Sequence, residues 1–239
     1  EAFATYAMNV TDLQVSGNEC WKSSAEEGDV DGAWAACDAI VEDEFETQAQ
    51  HHLYLEPSSA LAEADATGKV TIWAPNQGVH FIQSRTADYL GLPLTKVRVV
   101  SPAIGGGFGG RAGPHVQPIA AALALKSGKP VKVTLSRTMD FEICRSRHPS
   151  RIRMKLGGRK DGTLIAQEAE LIYDGGSFAD ESPAVASFGL MMARGPYRVP
   201  NFRGVSRAVY TNRLRAGSFR GFGNPQVAFA RESLIDRLA

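Results

Sequence analysis

SPAIGGGFGGR, residues 101–111, sets Gly105, Gly106, Gly107, Gly109 and Gly110 around a single Phe108. Glycine loses more backbone freedom on folding than any other residue, so such a run belongs where the chain must take positive φ or approach something closely. Before it, KVRVVSPAI is apolar and β-branched, as a buried strand is. After it, PHVQPIAAALALKSGKP has helical spacing and a stop at Gly128. The glycines therefore join a strand to a helix, and amides exposed at such a bend can bind an anion or an oxo group.

The spacing Gly105, Gly107, Gly110 matches the dinucleotide pattern G-x-G-x-x-G, although the acidic residue expected about 20 positions later is replaced by KSGKPVKVT. A P-loop is excluded because no G-K-[S/T] follows. A turn needed only for tight packing is the remaining reading from residue types.

Working outward, VEDEFETQ alternates as a half-exposed strand, after a short helix that Asp29 or Asp31 can cap. SALAEADATGKVTIWAP reads as a hairpin, and QGVHFIQSRTADYLGL as a helix feeding the strand at 97. VKVTLSR continues as a strand. RIRMKLGGRKDGTLIAQEAELIY is a long hairpin, followed by a helix over 184–193, the strand FRGVSRAVYTN and a terminal helix. Hairpins mixed with helical crossovers predict an α+β fold with a mixed sheet and packed helices. Residues 14–28 lack any period and predict a linker, so 1–28 is expected to be an exposed segment and 29–239 the folded domain. Glu1 and the uncapped final helix suggest a fragment of a longer chain.

The 239 residues carry 26 basic and 26 acidic side chains, yet residues 1–68 hold 15 acidic and one basic, giving −14 against +14 for the rest. The plain expectation is that the two portions face each other, or face other parts of a larger protein. Arginines scattered over strands and turns exclude a nucleic-acid patch. No apolar run is long enough for a membrane span and no secretory signal is seen, which predicts a soluble cytoplasmic chain. Cys20, Cys37 and Cys144 lack metal or disulfide spacing.

A second cluster, SFRGFGNPQ, sets Phe219, Arg220 and Phe222 on a glycine-flexed loop, where aromatic rings could pack on a flat ligand. The plain alternative is that both rings are core. His51 and His52, with Glu56, could suggest a metal site, but adjacent histidines on a strand point to opposite faces, which argues against a shared ion. His115 and His148 read as structural, and Cys144 has no local base.

Taken in order, WAPNQ, the GGGFGG loop, SRHP, GPYRVPN, YTN, FRGFGNPQ and ESLIDRLA resemble the molybdenum-cofactor-binding region of the xanthine dehydrogenase and aldehyde oxidase family. The resemblance runs from about residue 40 to the end. It implies the first half of a two-domain molybdenum-cofactor-binding region in a hydroxylase that oxidises a C–H bond with oxygen from water. It further implies molybdenum-molybdopterin, plain or as the cytosine dinucleotide, with iron–sulfur clusters and often FAD on other modules or subunits.

By matching motifs, Gln77 should donate its amide to a molybdenum oxo ligand, and no side chain of this chain should ligate the metal directly. The backbone at Gly107, Phe108 and Gly109 should close over the metal's ligands, and the Arg220 loop should bring main-chain donors to its other side. Phe222 and Ala112 should face a small-molecule substrate. The family's general-base glutamate falls beyond residue 239, so the isolated chain is expected to be inactive without the downstream domain. Purine-oxidising members have an acidic residue where Ala112 stands and an arginine where Phe188 falls, which implies an aldehyde or a less polar heterocycle as substrate.

Overall fold

The computed structural model describes residues 17–239, whose chain divides into two compact units, one of 17–50 with 146–239 and one of 51–145. Elements are numbered along the chain. The first unit holds β1 (Glu19–Glu27), β2 (Ala39–Thr47), β7 (Ser150–Gly158), β8 (Leu164–Gly176) and β9 (Asn201–Tyr210) in the order β1-β9-β8-β7-β2. β8 and β9 run parallel and the other neighbours antiparallel, the mixed sheet that the sequence predicts.

One face of this sheet is apolar. Ile152, Met154 and Leu156 of β7, with Leu171 and Tyr173 of β8, are buried beneath α4 (Ser182–Met191) and α5 (Asn224–Leu238), where Val227, Ala230 and Leu234 meet them. The alternate residues of β7 are Arg151, Arg153 and Lys155, so strand periodicity sends the basic side chains to the opposite face.

That face explains the charge division. Both edge strands come from the acidic portion and each lies beside a basic strand: β2 against β7, β1 against β9. Arg151 meets Glu44 at 2.6 Å and Arg153 meets Glu42 at 2.6 Å. Arg203 contacts Glu26 at 3.1 Å, Asp31 at 2.6 Å and Glu168 at 2.9 Å, while Arg207 reaches Glu19 at 3.0 Å and Glu170 at 2.5 Å.

One expectation is corrected here. Residues 19–27 were expected within an exposed linker, but they form β1; residues 1–16 lie outside the described residues. Cys20 is the one buried side chain of this strand, which is held by its ladder and by arginine partners instead of an apolar stripe. Periodicity therefore has nothing to detect.

The second unit has β3 (Ser59–Ala64), β4 (Val70–Trp73), β5 (Val97–Val100) and β6 (Val131–Thr134) in the order β5-β4-β3-β6. α1 (Val79–Leu90) makes the crossover between the parallel strands β4 and β5, and ends on Gly91 in the left-handed region. α2 (Gln117–Ser127) stops on Gly128, also left-handed, and buries Ala120, Ala121 and Ala124 against Ala60, Ala62 and Ile72. A short helix absent from the sequence reading, α3 (Arg137–Ile143), starts where the Ser136 side chain accepts from the Met139 amide.

Candidate functional site

Sheet direction decides what meets in the second unit. β4 and β5 are parallel with Trp73 opposite Val100, so the segments that follow them leave side by side. The Ala74 amide donates to the Val100 carbonyl at 3.1 Å and the Gln77 amide to the Arg111 carbonyl at 3.0 Å. β3 runs antiparallel to β4, and β6 antiparallel to β3, so residues 51–58 and 135–145 arrive at the same end.

There Asn76, buried, forms an Asx turn: its amide donates to the Ala74 carbonyl at 2.9 Å and its oxygen accepts from the Gly78 amide at 3.1 Å. The turn projects Gln77 to the surface. Gln77 Oε1 accepts from the Gly109 amide at 2.9 Å and the Arg111 amide at 3.2 Å. With the oxygen fixed by two backbone donors, Nε2 must be the outward end, an uncharged donor of two hydrogens.

The glycines follow from this contact. A Cβ on Gly107 would stand 2.4 Å from Gln77 Oε1, and Gly109 has φ +101°, a conformation closed to β-branched residues. Phe108 takes φ +54° and stays exposed, a left-handed aromatic residue held between two glycines at the loop's turn. Ala112 follows, its amide donating to the Gly109 carbonyl at 3.1 Å. Of the sequence-predicted residues, Gln77, Gly107, Phe108, Gly109 and Ala112 thus share one locus.

This geometry sets aside the dinucleotide reading. That motif needs its glycines to open a helix, whereas α2 begins at Gln117, after the loop has closed on Gln77.

Arg220 and Phe222 lie in the first unit, on the loop before α5. Here the Ser218 amide donates to Glu181 at 2.7 Å, and Arg147 donates to the Arg220 carbonyl at 3.2 Å and to Gln226 at 3.4 Å. The Arg147 guanidinium lies 4.3 Å over the Phe219 ring, and burial lowers its pKa. The buried Tyr173 hydroxyl donates to the Gly223 carbonyl at 3.0 Å, and burial holds its pKa above the ordinary phenol value. Phe222 packs on Phe188, ring centres 4.8 Å apart. Arg194, a nearby cation, pairs with Glu27 and lies over Phe202.

Among the described residues no group of three or more His, Cys, Asp or Glu could hold a metal ion. The buried Cys144 lies 3.3 Å from His115 Nδ1 and 3.4 Å from Asp140, and burial pushes its thiol up to about 11, which makes it a poor nucleophile. Sequence reasoning missed Asn76, weighed Glu56 only as a metal partner for His51 and His52, and saw Arg111 only as the basic residue that ends the glycine loop. The N-Q-G run after a strand is the signal that could have marked the Asx turn.

Comparison with solved structures gives the class: the fold is that of molybdenum hydroxylase large subunits. The aldehyde oxidoreductase of Desulfovibrio gigas matches with TM-score 0.89 and 29% identity, over 94% of this chain and 25% of that one. Quinoline 2-oxidoreductase of Pseudomonas putida 86 matches with TM-score 0.85 and 26% identity, over 94% and 29%.

The chain belongs to the molybdopterin cofactor-binding domain family, which it matches over residues 13–239. Among curated relatives, a probable xanthine dehydrogenase subunit of Bacillus subtilis is 37% identical over 97% of this chain and 31% of its own length. The nicotinate dehydrogenase large molybdopterin subunit of Eubacterium barkeri is 38% identical over 90% and 50%. The chain thus spans about a third to a half of these relatives.

Proposed function

We propose that this chain is the first molybdenum-cofactor-binding portion of a molybdenum hydroxylase that oxidises a C–H bond of an aldehyde or aromatic heterocycle. The observation that carries this reading is Gln77, its oxygen fixed by Gly109 and Arg111 and its NH₂ facing outward. An oxo-bearing metal centre needs neutral donors that bring no counter-charge, and the Gln77 amide with a bare glycine backbone fits that need. When bound, the molybdenum centre supplies the two-electron oxidation and the water-derived oxygen.

Gln77 holds and orients the cofactor through its outward amide, and Gly107 and Gly109 keep side chains out of the approach. Arg147 fixes the backbone at Arg220 and Tyr173 fixes it at Gly223, which leaves Phe222 and Phe188 as an aromatic wall for a planar substrate. The proton-accepting glutamate is assigned to the downstream portion of the parent protein, without which this chain is incomplete. The pterin, plain or as the cytosine dinucleotide, and iron–sulfur modules, with or without FAD, that take the electrons onward complete the reading. Three free thiols, and no helix among the described residues long and apolar enough to cross a membrane, are consistent with a cytoplasmic enzyme.

Gln77→Glu tests the reading in the full-length protein. A carboxylate preserves both bonds from Gly109 and Arg111 but removes the outward donor and adds a negative charge. Turnover per bound molybdenum should fall about 10- to 100-fold, the range for groups that orient a metal's ligands, with the melting temperature unchanged. Unchanged turnover would remove Gln77 from the site.

A further inference from the structure

The glycine loop is held from behind by a connected set of charged side chains that the reading above leaves unassigned. Arg111, at the end of the loop, is 3% exposed and has three kinds of contact. Its Nε donates to the Gly106 carbonyl at 2.8 Å, its Nη2 donates to the Glu56 carbonyl and lies 3.4 Å from the Glu56 carboxylate, and its guanidinium lies 4.3 Å over the Tyr54 ring. Glu56 in turn accepts from the Gly105 amide at 2.9 Å. The pair therefore grips the loop at Gly105 and Gly106, while the Arg111 amide is one of the two donors that fix Gln77.

The segment carrying Glu56 is itself anchored. Asp140, fully buried on α3, accepts from the Ser58 amide at 3.1 Å and the Tyr54 hydroxyl at 3.3 Å, and Arg137 joins Asp140 to the carbonyls of Tyr54 and Leu55. A continuous path thus runs from a buried carboxylate through Tyr54 and Glu56 to Arg111 and the loop. A loop with five glycines has no stiffness of its own, because each samples a wide φ, ψ range. A surface amide that must hold one direction needs an external brace, and planar, forked Arg111 can bind two carbonyls, a carboxylate and a ring face at once where lysine cannot.

The geometry points to Arg111 and Glu56 as positioning residues that hold the glycine loop in register with Gln77 and so aim the Gln77 amide. This rests on the molybdenum-hydroxylase reading for what the amide is aimed at, but the brace itself is a property of this chain. Neither residue touches the cofactor in this assignment; both act through the loop backbone.

The test uses the full-length protein with Arg111→Lys and Glu56→Gln, each keeping most of the side-chain volume. Amide exchange of peptides spanning 105–111, followed by mass spectrometry, reads the brace directly, with a peptide spanning β7 as internal control. Molybdenum content, kcat per bound molybdenum and KM are measured on the same preparations.

Exchange of the loop should rise about tenfold or more in both variants with the β7 peptide unchanged, as expected of a local opening. Turnover per molybdenum should fall about 10-fold or more at nearly constant KM, the pattern of a misaimed outer group. Unchanged loop exchange would overturn the brace. Faster exchange with normal turnover per molybdenum would overturn the positioning role and leave a structural pair. A wild-type protein that binds no molybdenum would sink the functional reading, while the exchange result would still judge the brace.

Discussion

His51 shows how a single ring can couple the backbone near the loop to pH. Its Nδ1 accepts from the Leu53 amide at 3.0 Å, and Leu53 takes φ +53°, a strained conformation for a branched side chain. Its Nε2 lies 3.5 Å from Asp140, and the ring packs on Phe141. Burial lowers its pKa below 6.5, Asp140 raises it in part, and nearby Arg137 lowers it again. Well above pH 6.5 both folded and unfolded chains hold the neutral ring, so it adds no pH dependence there. As pH falls further the unfolded chain takes the proton first, and stability is lost until the folded pKa is reached. Protonation also removes the acceptor for the Leu53 amide. Melting of the full-length protein at pH 7 and pH 5.5 should therefore show a smaller drop for His51→Phe than for wild type. Equal drops would show that the ring titrates alike in both states. The Asp140 contact was not legible in the sequence, because it depends on α3, a seven-residue helix too short for any period to reveal.

At the scale of elements, the acidic N-terminal portion and the basic remainder prove to be neighbouring strands of one sheet. The expectation that they face each other holds in a more local form, as rows of carboxylates beside rows of guanidinium groups. Arg203 is the centre of one such row, with Glu26, Asp31 and Glu168 around it, and Asp31 first and then Glu26 raise its pKa above the ordinary arginine value. Isolated surface pairs contribute little, but reversing one charge inside a network sets several like charges together. Arg203→Glu should therefore lower the melting temperature by several degrees at low salt, and the loss should shrink in about 0.5 M salt, where the screening length falls to roughly 4 Å. Arg203→Met should lose much less. A salt-independent loss would show that packing of the arginine stem matters more than its charge. Most strands and helices were legible because one face of each is apolar: 150–158, 164–176 and 224–238 all carry the expected period. β1 was not, because its partners are charges distributed over two other strands.

At the scale of the whole chain, order along the sequence conceals the division into units. Residues 51–145 form one unit of their own while 17–50 and 146–239 close into another, and no composition shift marks either junction. The family was legible all the same, because WAPNQ, GGGFGG and FRGFGNPQ recur as spaced motifs in order along the chain, a signal independent of where the units divide. The same loops bear on the substrate. A site that recognises a purine needs hydrogen-bonding groups at the ring edges, and a site so equipped rejects ligands that would leave those groups unpaired. At the positions to which the family resemblance assigns those groups, Ala112 offers no carboxylate and Phe188 no guanidinium. The nearest cation to Phe188 in sequence, Arg194, is held by Glu27 over the Phe202 ring. Phe188 packs on Phe222, ring centres 4.8 Å apart, and in the proposed reading this pair is an apolar face where a purine would need a polar edge. Such a face binds by packing, with aromatic contacts contributing about 0.5–1.5 kcal/mol beyond burial. The full-length enzyme should turn over benzaldehyde or nicotinate with kcat/KM at least about tenfold above that for hypoxanthine or xanthine, a gap of about 1.4 kcal/mol in transition-state binding. Phe222→Ala should raise KM for the preferred aromatic substrate more than it lowers kcat, since it removes packing that ground and transition states share. A preference for either purine would mean that the ring edges find polar partners supplied by the rest of the parent protein.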